Sequence, residues 1–371
     1  MNFSGINKSE SISTTSVQDT ESREHGLDLL RIICMLLIIS FHFSDHGYTK
    51  INYSQPMSFS YILLAISRIW GDIGNCCFIL ISGYFLYTKQ FSIKKVFRLW
   101  FEVFIYSVFS GCLCFLLGIE EPTFFNVTSM LTPFITKQYW YFSTYIIIYI
   151  LFPFLNRVIN SVSRNQHKYL IFICFVLFSF LPYIGTDWLN SPSKISIFIT
   201  LYFCGAYIRK YNISLSLKKS VIIFIGLILL EILSILRMKT LDPFSSPVLL
   251  FYHVTEITKP LPIFSAIAMF LIFKQLKPRS NKLISFLSRS VFGIYLFHIG
   301  RLNVLFFSII FCNRYTYETP WLLPQMLLAV FSIFIAGILI DNIRIYIIER
   351  PVMKLMDKFL KKINNRLSEY Y

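Results

Sequence analysis

The first apolar segment of the chain, residues 27–43, contains an arginine and a histidine that would share one helix face. Arg31 and His42 are eleven residues apart, which in an α-helix corresponds to about three turns and a rise of about 16.5 Å. Asp45 and His46 follow three and four residues later and extend the same stripe. Ionisable groups within apolar segments are costly, so each is a candidate functional residue.

The chemistry of this stripe differs between its two ends. A guanidinium binds phosphate oxygens through its forked donors and does not lose its charge, which predicts a phosphate-binding role for Arg31. An imidazole deeper in the protein can remove a proton from a hydroxyl, which predicts a catalytic role for His42, with Asp45 orienting an imidazole. Three structural alternatives stay open: an interfacial anchor at Arg31, a hydrogen-bonded core histidine at His42 and an ordinary loop acid at Asp45.

Further ionisable residues lie in or near other apolar segments: Asp72, Glu102, Glu231 and His298. Such residues must pair or face a cavity. Because Arg68 precedes Asp72 by four residues, we expect these two to form an ion pair. The same spacing predicts that Arg98 pairs with Glu102. His298 ends a helical GIYLF run, and the spacing leaves open whether it is a core residue or a site residue.

The composition predicts that a membrane-spanning protein positions these residues. Of 371 residues, 55% are hydrophobic and 15% charged, with a mean hydropathy of +0.61. This composition excludes a soluble globular protein. Apolar blocks recur that are long enough to cross a hydrocarbon layer, and stretches such as 221–230 are apolar on every side, which excludes an alternating β-barrel pattern. The predicted fold class is all-α, a polytopic integral membrane bundle of about ten transmembrane helices.

Charge and Pro, Gly and Asn punctuation divide the chain into predicted spans at about 27–44, 60–86, 99–118, 138–155, 169–186, 195–208, 220–236, 258–273, 290–312 and 321–348. The tail before them and every second loop contain 25 Lys and Arg, whereas the opposite loops contain 6. By the positive-inside rule, both termini are predicted to be cytoplasmic. Residues 1–26 are predicted to form a disordered cytoplasmic tail, 27–350 the membrane domain and 351–371 a basic cytoplasmic C-terminal tail.

The positive charge and the cysteines exclude other function classes. The net charge of +16 could indicate nucleic acid binding, but the basic residues lie between hydrophobic blocks, so we expect no nucleic acid partner. The eight cysteines lie almost entirely within apolar blocks without a C-x-x-C pair. Neither a metal site nor a disulfide framework is therefore indicated.

Several short motifs occur in a characteristic order along the chain: LDLLR at 27–31 with Arg-x10-His, GDIGNCCFILISGYFL at 71–86, KKVFRLW at 94–100, QYWY at 138–141, SVFGIYLFH at 290–298 and ERP at 349–351. In this order the sequence resembles the membrane-bound acyltransferase-3 family, which includes bacterial surface-polysaccharide O-acetyltransferases. The resemblance covers nearly the whole chain.

The resemblance implies an enzyme of the bacterial inner (plasma) membrane that transfers an acyl group, usually acetyl, from cytoplasmic acyl-CoA to a hydroxyl. The acceptor would be a cell-surface polysaccharide or its lipid-linked oligosaccharide precursor, and membrane lipid would surround the protein. Acetyl-CoA would be a donor substrate, with no tightly bound cofactor. His42 would be catalytic, either as general base or as an acylated relay, and Arg31 would contact CoA.

The resemblance also implies donor-phosphate roles for the basic residues of the third motif: Lys94, Lys95 and Arg98. Trp140 and Tyr141 could stack on sugar rings and, with His298, are candidate substrate-binding residues. Packing and interfacial anchoring are the structural alternatives for these aromatic residues in a chain with 18% aromatics.

Two other classes compete with an acyltransferase. A glycan or lipid-linked sugar transporter would also place charges inside the membrane, although we find no internal sequence repeat of the kind that marks many transporters. A polysaccharide polymerase would also be polytopic and aromatic-rich, yet no large predicted external loop is present. Only an acyltransferase would consume an acyl-CoA donor.

Overall fold

The computed structural model describes residues 24–47, 58–136, 138–184, 194–241, 254–278 and 282–358. Within these ranges the chain is helical and contains no strand. The all-α prediction is therefore confirmed for the described part of the chain.

The helices are numbered in chain order. The first six are α1 His25–Gly47, α2 Phe59–Leu86, α3 Ile93–Leu116, α4 Phe124–Leu131, α5 Trp140–Ser161 and α6 Arg164–Tyr183, which contains a π-helical turn at Val176–Phe180. The others are α7 Lys194–Lys210, α8 Leu217–Leu241, α9 Pro260–Gln275, α10 Lys282–Arg289, α11 Val291–His298 and α12 Leu322–Arg344, which continues through a π-helical turn at Ile345–Glu349 to Lys358. A separate π-helical segment covers Val304–Ile310.

Seven helices in the described ranges are long and apolar enough to cross a membrane: α1, α2, α3, α5, α6, α8 and α12. The protein is therefore a multi-pass membrane protein. The other three predicted spans correspond to shorter helical segments, so the count of ten transmembrane helices stays a prediction.

The predicted span 290–312 is not one continuous helix. It is interrupted after His298, where the backbone turns at Gly300 with a positive φ of 75° before the π-helical segment begins. Glycine populates this left-handed region without steric cost, which explains why the helix ends there. The interruption leaves His298 at the C-terminal end of a short buried helix.

Helices α1 and α2 form the centre of the bundle. They make the most extensive contact of any helix pair, and α2 also packs closely against α7. At that second crossing, Gly83 of α2 and Gly205 of α7 lie against each other's helix backbone, where a Cβ atom would collide. Small residues allow such close approach between membrane helices. In α2, 67% of the most apolar window is buried, against 17% in α8, so α8 lies at the periphery.

Polar contacts gather at the two ends of the bundle. At one end, which we call the basic end, the Tyr84 hydroxyl donates to Glu24 at 2.8 Å, and Arg209 contacts Glu24 at 2.9 Å. At the other end Ser58 donates to Glu318, and Asn313 donates to the Phe43 carbonyl at 3.2 Å. The loops that are predicted to be cytoplasmic lie at the basic end.

Cysteine labelling tests this orientation directly. In a background with Cys112 and Cys312 replaced by serine, we expect a Cys at Lys89 or Asn160 to react with a membrane-impermeant maleimide only after cells are permeabilised. Both positions are exposed at the basic end. A Cys at Glu121, which is exposed at the opposite end, should react in intact cells. Labelling of the first two positions from outside would reverse the predicted topology.

Candidate functional site

A large cavity opens at the basic end of the bundle, between α1, α2, α3, α5, α10, α11 and α12. Its volume is about 1170 Å³, at or above the upper end of the range for sites that enclose drug-sized molecules, about 300–1,000 Å³. Helix α1 contributes Arg31 to the wall, while Tyr141 and Tyr145 of α5 line it as well. The cavity is therefore large enough for an extended ligand that reaches from the bundle end towards its interior.

Basic residues in the wall of this cavity outnumber the acidic ones, which are Glu102, Glu349 and Asp357. Four of the basic residues were predicted as site residues: Arg31, Lys94, Lys95 and Arg98. They are joined by four cations that the sequence analysis did not single out as site residues: Arg289, Arg344, Arg350 and Lys354. Motif position gave a signal for one of these, since Arg350 belongs to ERP at 349–351. The concentration of guanidinium and ammonium groups suits an anionic ligand such as a phosphate.

Arg31 reaches the cavity from the first turns of α1. Its Nη1 lies 2.9 Å from Asp28 Oδ1, and the guanidinium carbon lies 5.4 Å from the centre of the Phe85 ring. The side chain remains about one third exposed. The contact with Asp28 fixes the guanidinium at the wall and leaves part of its surface accessible.

The inner wall of the cavity contains a buried ion network centred on Arg344. Its Nη2 lies 2.9 Å from both Glu102 and Asp341, and Nη1 donates to Glu349. The Tyr106 hydroxyl adds a 3.1 Å bond to Asp341. The network connects α3 with α12 behind the basic wall.

Neither ion pair predicted from four-residue spacing forms. Arg98 contacts Glu349 at 2.7 Å, while Glu102 pairs with Arg344. In both predicted pairs the cation precedes the acid, which is the weaker order on a helix. Partners from other helices are therefore preferred.

The second predicted pair fails in the same way. Arg68 pairs with Asp45 of α1, while Asp72 accepts hydrogen bonds from Asn75 at 3.1 Å and from the Ile257 backbone at 3.0 Å. Glu231, which was expected to pair or face a cavity, accepts a 2.8 Å bond from Ser265. Buried carboxylates in this protein are thus satisfied mainly by tertiary contacts.

Three histidines meet further along α1, away from the basic end. The His42 ring stacks on His46 at 5.2 Å between ring centres and meets His298 edge-on at 5.4 Å. Phe307 covers this histidine cluster, 6.3 Å from His42. The stripe predicted on α1 is thus joined by the second buried imidazole, from α11.

Polar partners differ among the histidines. His298 is fully buried, and its Nδ1 lies 2.7 Å from the Ile294 carbonyl oxygen. Within the described ranges, neither its Nε2 nor the buried Nδ1 of His42 has a hydrogen-bond partner. Asp45 lies 3.9 Å from His46 Nε2 and pairs with Arg68, so the imidazole nearest to this carboxylate is that of His46.

Aromatic rings connect the cavity with the histidine cluster. Tyr141 lines the cavity and lies 5.8 Å from Tyr295, which in turn lies 6.5 Å from His298. Trp140 does not line the cavity. It packs against Tyr141 at 5.7 Å, and its ring faces Lys194 at 3.9 Å.

Comparison with known proteins gives one match. A family model described as an acyltransferase domain matches residues 24–341, which is most of the chain. The chain belongs to the acyltransferase-3 family. No curated protein and no solved structure matches it.

The matched region of this acyltransferase-3 protein contains both parts of the candidate site. It includes the three histidines of the cluster and the cavity residues of α1, α3, α5, α10 and α11. The cations that line the cavity from α12, beginning with Arg344, lie beyond residue 341. The sequence therefore points to the site mainly through α1, while the contribution of α12 follows from the three-dimensional packing.

Proposed function

We propose that this acyltransferase-3 protein transfers an acyl group, most simply acetyl, from acyl-CoA to a hydroxyl of a cell-surface glycan or its lipid-linked precursor. The donor would enter from the cytoplasm, in the inner membrane of a bacterium. The observation that carries the proposal is the position of α1, which places Arg31 in the basic cavity and His42 in the histidine cluster. Family membership supports the acyl-transfer chemistry.

The donor site follows from the charge of the cavity. Acyl-CoA carries phosphate groups at one end and its thioester at the end of a long flexible arm. Arg31, Lys94, Lys95 and Arg98 would bind the phosphates at the basic end, where Arg289 and Arg350 add charge. The arm would then extend past Tyr141 towards the buried histidines.

The proposed reacting group lies further along the same helix, towards its other end. His42 lies eleven positions after Arg31, a rise of about 16.5 Å. His42 is half-buried beneath apolar rings and has a buried ring nitrogen without a protein partner in the described ranges. Its imidazole would act either as a general base that takes the proton of the attacking hydroxyl, or as a nucleophile that attacks the thioester carbonyl and carries the acyl group itself.

The acceptor would approach from the end opposite the basic cavity. Asp45, His46 and Arg68 lie there beside the histidine cluster and offer donors and acceptors for a polyhydroxyl compound. Trp140, Tyr141 and His298 remain candidate acceptor-binding residues. This separation would let an acyl group pass through the bundle while CoA stays on the cytoplasmic side.

Donor consumption is the first test. We expect the purified protein in lipid nanodiscs to release free CoA from labelled acetyl-CoA above the rate of empty nanodiscs, and to transfer the label to material extracted from the bacterial envelope. A glycan transporter or flippase would move its substrate without consuming acetyl-CoA. Absence of CoA release in the presence of the envelope extract would count against the proposal.

Arg31→Lys separates donor binding from chemistry. The change keeps the charge but removes the forked donor geometry that suits phosphate. We expect the KM for acetyl-CoA to rise about tenfold, equivalent to about 1.4 kcal/mol, while kcat changes little. Steady-state kinetics over a range of donor concentrations measure both values. An unchanged KM would assign Arg31 to its ion pair with Asp28 and move the phosphate contacts to Lys94, Lys95 and Arg98.

A further inference from the structure

His298 has a fixed protonation pattern in the histidine cluster. A ring nitrogen that lies 2.7 Å from a carbonyl oxygen must be the one that carries the proton, so the contact between Nδ1 and the Ile294 oxygen assigns the proton to Nδ1. In the neutral imidazole, Nε2 then holds a lone pair and is an acceptor. It is buried and has no hydrogen-bond partner in the part of the chain that the structure describes. Buried acceptors are usually hydrogen-bonded, so this nitrogen is available to a substrate group that enters the cluster.

The relative orientation of the rings distinguishes His298 from His46. The planes of His42 and His46 differ by 11°, so the in-plane lone pairs of these two stacked rings lie in nearly parallel planes. The planes of His42 and His298 differ by 61° at 5.4 Å between ring centres, so the in-plane lone pairs of these two rings lie in planes that cross. His298 is also fully buried, whereas His46 is partly exposed.

We propose that His298 is a second catalytic histidine, which takes the proton of the attacking hydroxyl through Nε2 while His42 carries the acyl group. The inference rests on the proposed acyltransferase function and adds a residue and an order of steps to it. The rings of Phe41 and Phe307, 4.9 and 6.3 Å from His42, would shield the acylated imidazole from water.

In the first step a ring nitrogen of His42 bonds to the thioester carbonyl carbon, and the carbon–sulfur bond breaks. The sulfur leaves with the electron pair and takes the proton that the His42 ring sheds, so that CoA leaves as the thiol. In the second step the hydroxyl oxygen bonds to the same carbon, and its proton passes to His298 Nε2. The carbon–nitrogen bond breaks, the electron pair returns to His42, and His298 gives the proton to that nitrogen. Both imidazoles end neutral.

The variant His298→Asn tests this role while preserving the structural contact. The asparagine amide can donate to the Ile294 oxygen as Nδ1 does, but it offers no base at the position of Nε2. His298→Gln, which places a non-basic oxygen near that position, is the second variant. The matched control is His167→Asn, because His167 is also a fully buried histidine but packs against Phe203 and Tyr207 of α7.

The assay uses purified protein in nanodiscs with labelled acetyl-CoA. Glycerol at molar concentration in the aqueous buffer is the hydroxyl probe. We expect wild type and His167→Asn to release about one CoA per protein in a burst and then turn over slowly. Both His298 variants should keep the burst and retain the label on the protein, with the later rate at least about a hundredfold lower. Hydroxylamine, which attacks without a base, should remove the label from every variant.

Several outcomes would overturn the inference. Turnover of both variants at the wild-type rate would show that His298 takes no proton. Turnover by wild type without any burst or labelled protein would exclude an acylated His42, and loss of the burst in folded His298→Asn would place His298 before acylation. Loss of folded protein in both variants, judged by gel filtration, would assign His298 a structural role. Failure of wild type to release any CoA would instead refute the proposed acyltransferase function.

Discussion

Replacing His42 with alanine is expected to lower kcat for acyl transfer by a factor of at least about 10² to 10⁴, the usual contribution of a positioned proton-transfer group. A larger loss is expected if His42 is itself acylated, since no other residue would then complete the first step. Binding of CoA should stay close to that of wild type, because His42 does not line the basic cavity. Assays of CoA release stopped at fixed times measure kcat, and calorimetry measures the affinity for CoA on the same preparation.

The matched control is His167→Ala, which removes a buried imidazole from another part of the bundle. We expect this variant to turn over at the wild-type rate. If His42→Ala also turns over acetyl-CoA like wild type, the assignment of the reacting group to α1 is wrong. If instead both variants lose activity together with folded protein, the loss reflects packing and not chemistry.

Replacing Arg344 with methionine is expected to cause the largest loss of stability. The change leaves Glu102, Asp341 and Glu349 buried without the guanidinium that contacts all three. Removing one partner of a buried ion pair costs about 3–5 kcal/mol, since the remaining charge stays desolvated. We expect Arg344→Met to lower the midpoint of thermal unfolding in detergent strongly. The midpoint is the temperature at which half of the protein no longer remains monodisperse after heating.

Lys354→Met is the control for this prediction, since Lys354 also lines the cavity but is exposed. Its unfolding midpoint should stay near that of wild type, as expected for surface substitutions. Adding Glu102→Gln to Arg344→Met should recover part of the lost stability by removing one uncompensated charge. Equal midpoints for Arg344→Met and Lys354→Met would contradict the structural role of the network.

The fold class could be predicted from the sequence because it depends on local information. Apolar runs such as 221–230 have no polar face, and only a helix surrounded by lipid or protein satisfies their backbone. The interruption of the predicted span 290–312 was missed because a single residue, Gly300, ends the helix within an otherwise apolar run. The average composition of a span does not predict a turn at a single residue.

The candidate site could be predicted only in part. The shared face of Arg31 and His42 follows from helix geometry alone, since both lie on one continuous helix. The partners of Glu102 and Asp45 could not be predicted, because Arg344 and Arg68 reach them from other helices. Spacing along one helix gives the possible contacts, whereas the packing of helices selects among them.

The approach of His298 to His42 illustrates the same limit. The two residues are separated by more than two hundred positions, and nothing in the spacing relates α11 to α1. The sequence could identify His298 as a buried imidazole at the end of an apolar run. Only the packing of α1, α11 and the π-helical segment brings the two rings to 5.4 Å.

We propose that a donor bound in the basic cavity presents its acyl carbon to His42. A bromoacetyl thioester of CoA can test this arrangement, because its reactive carbon alkylates a nucleophile beside the acyl group. We predict that peptide mapping by mass spectrometry will find the adduct on His42 and that excess CoA will prevent it. An adduct confined to residues outside the histidine cluster, yet still prevented by excess CoA, would show that the bound donor does not present its acyl carbon to His42.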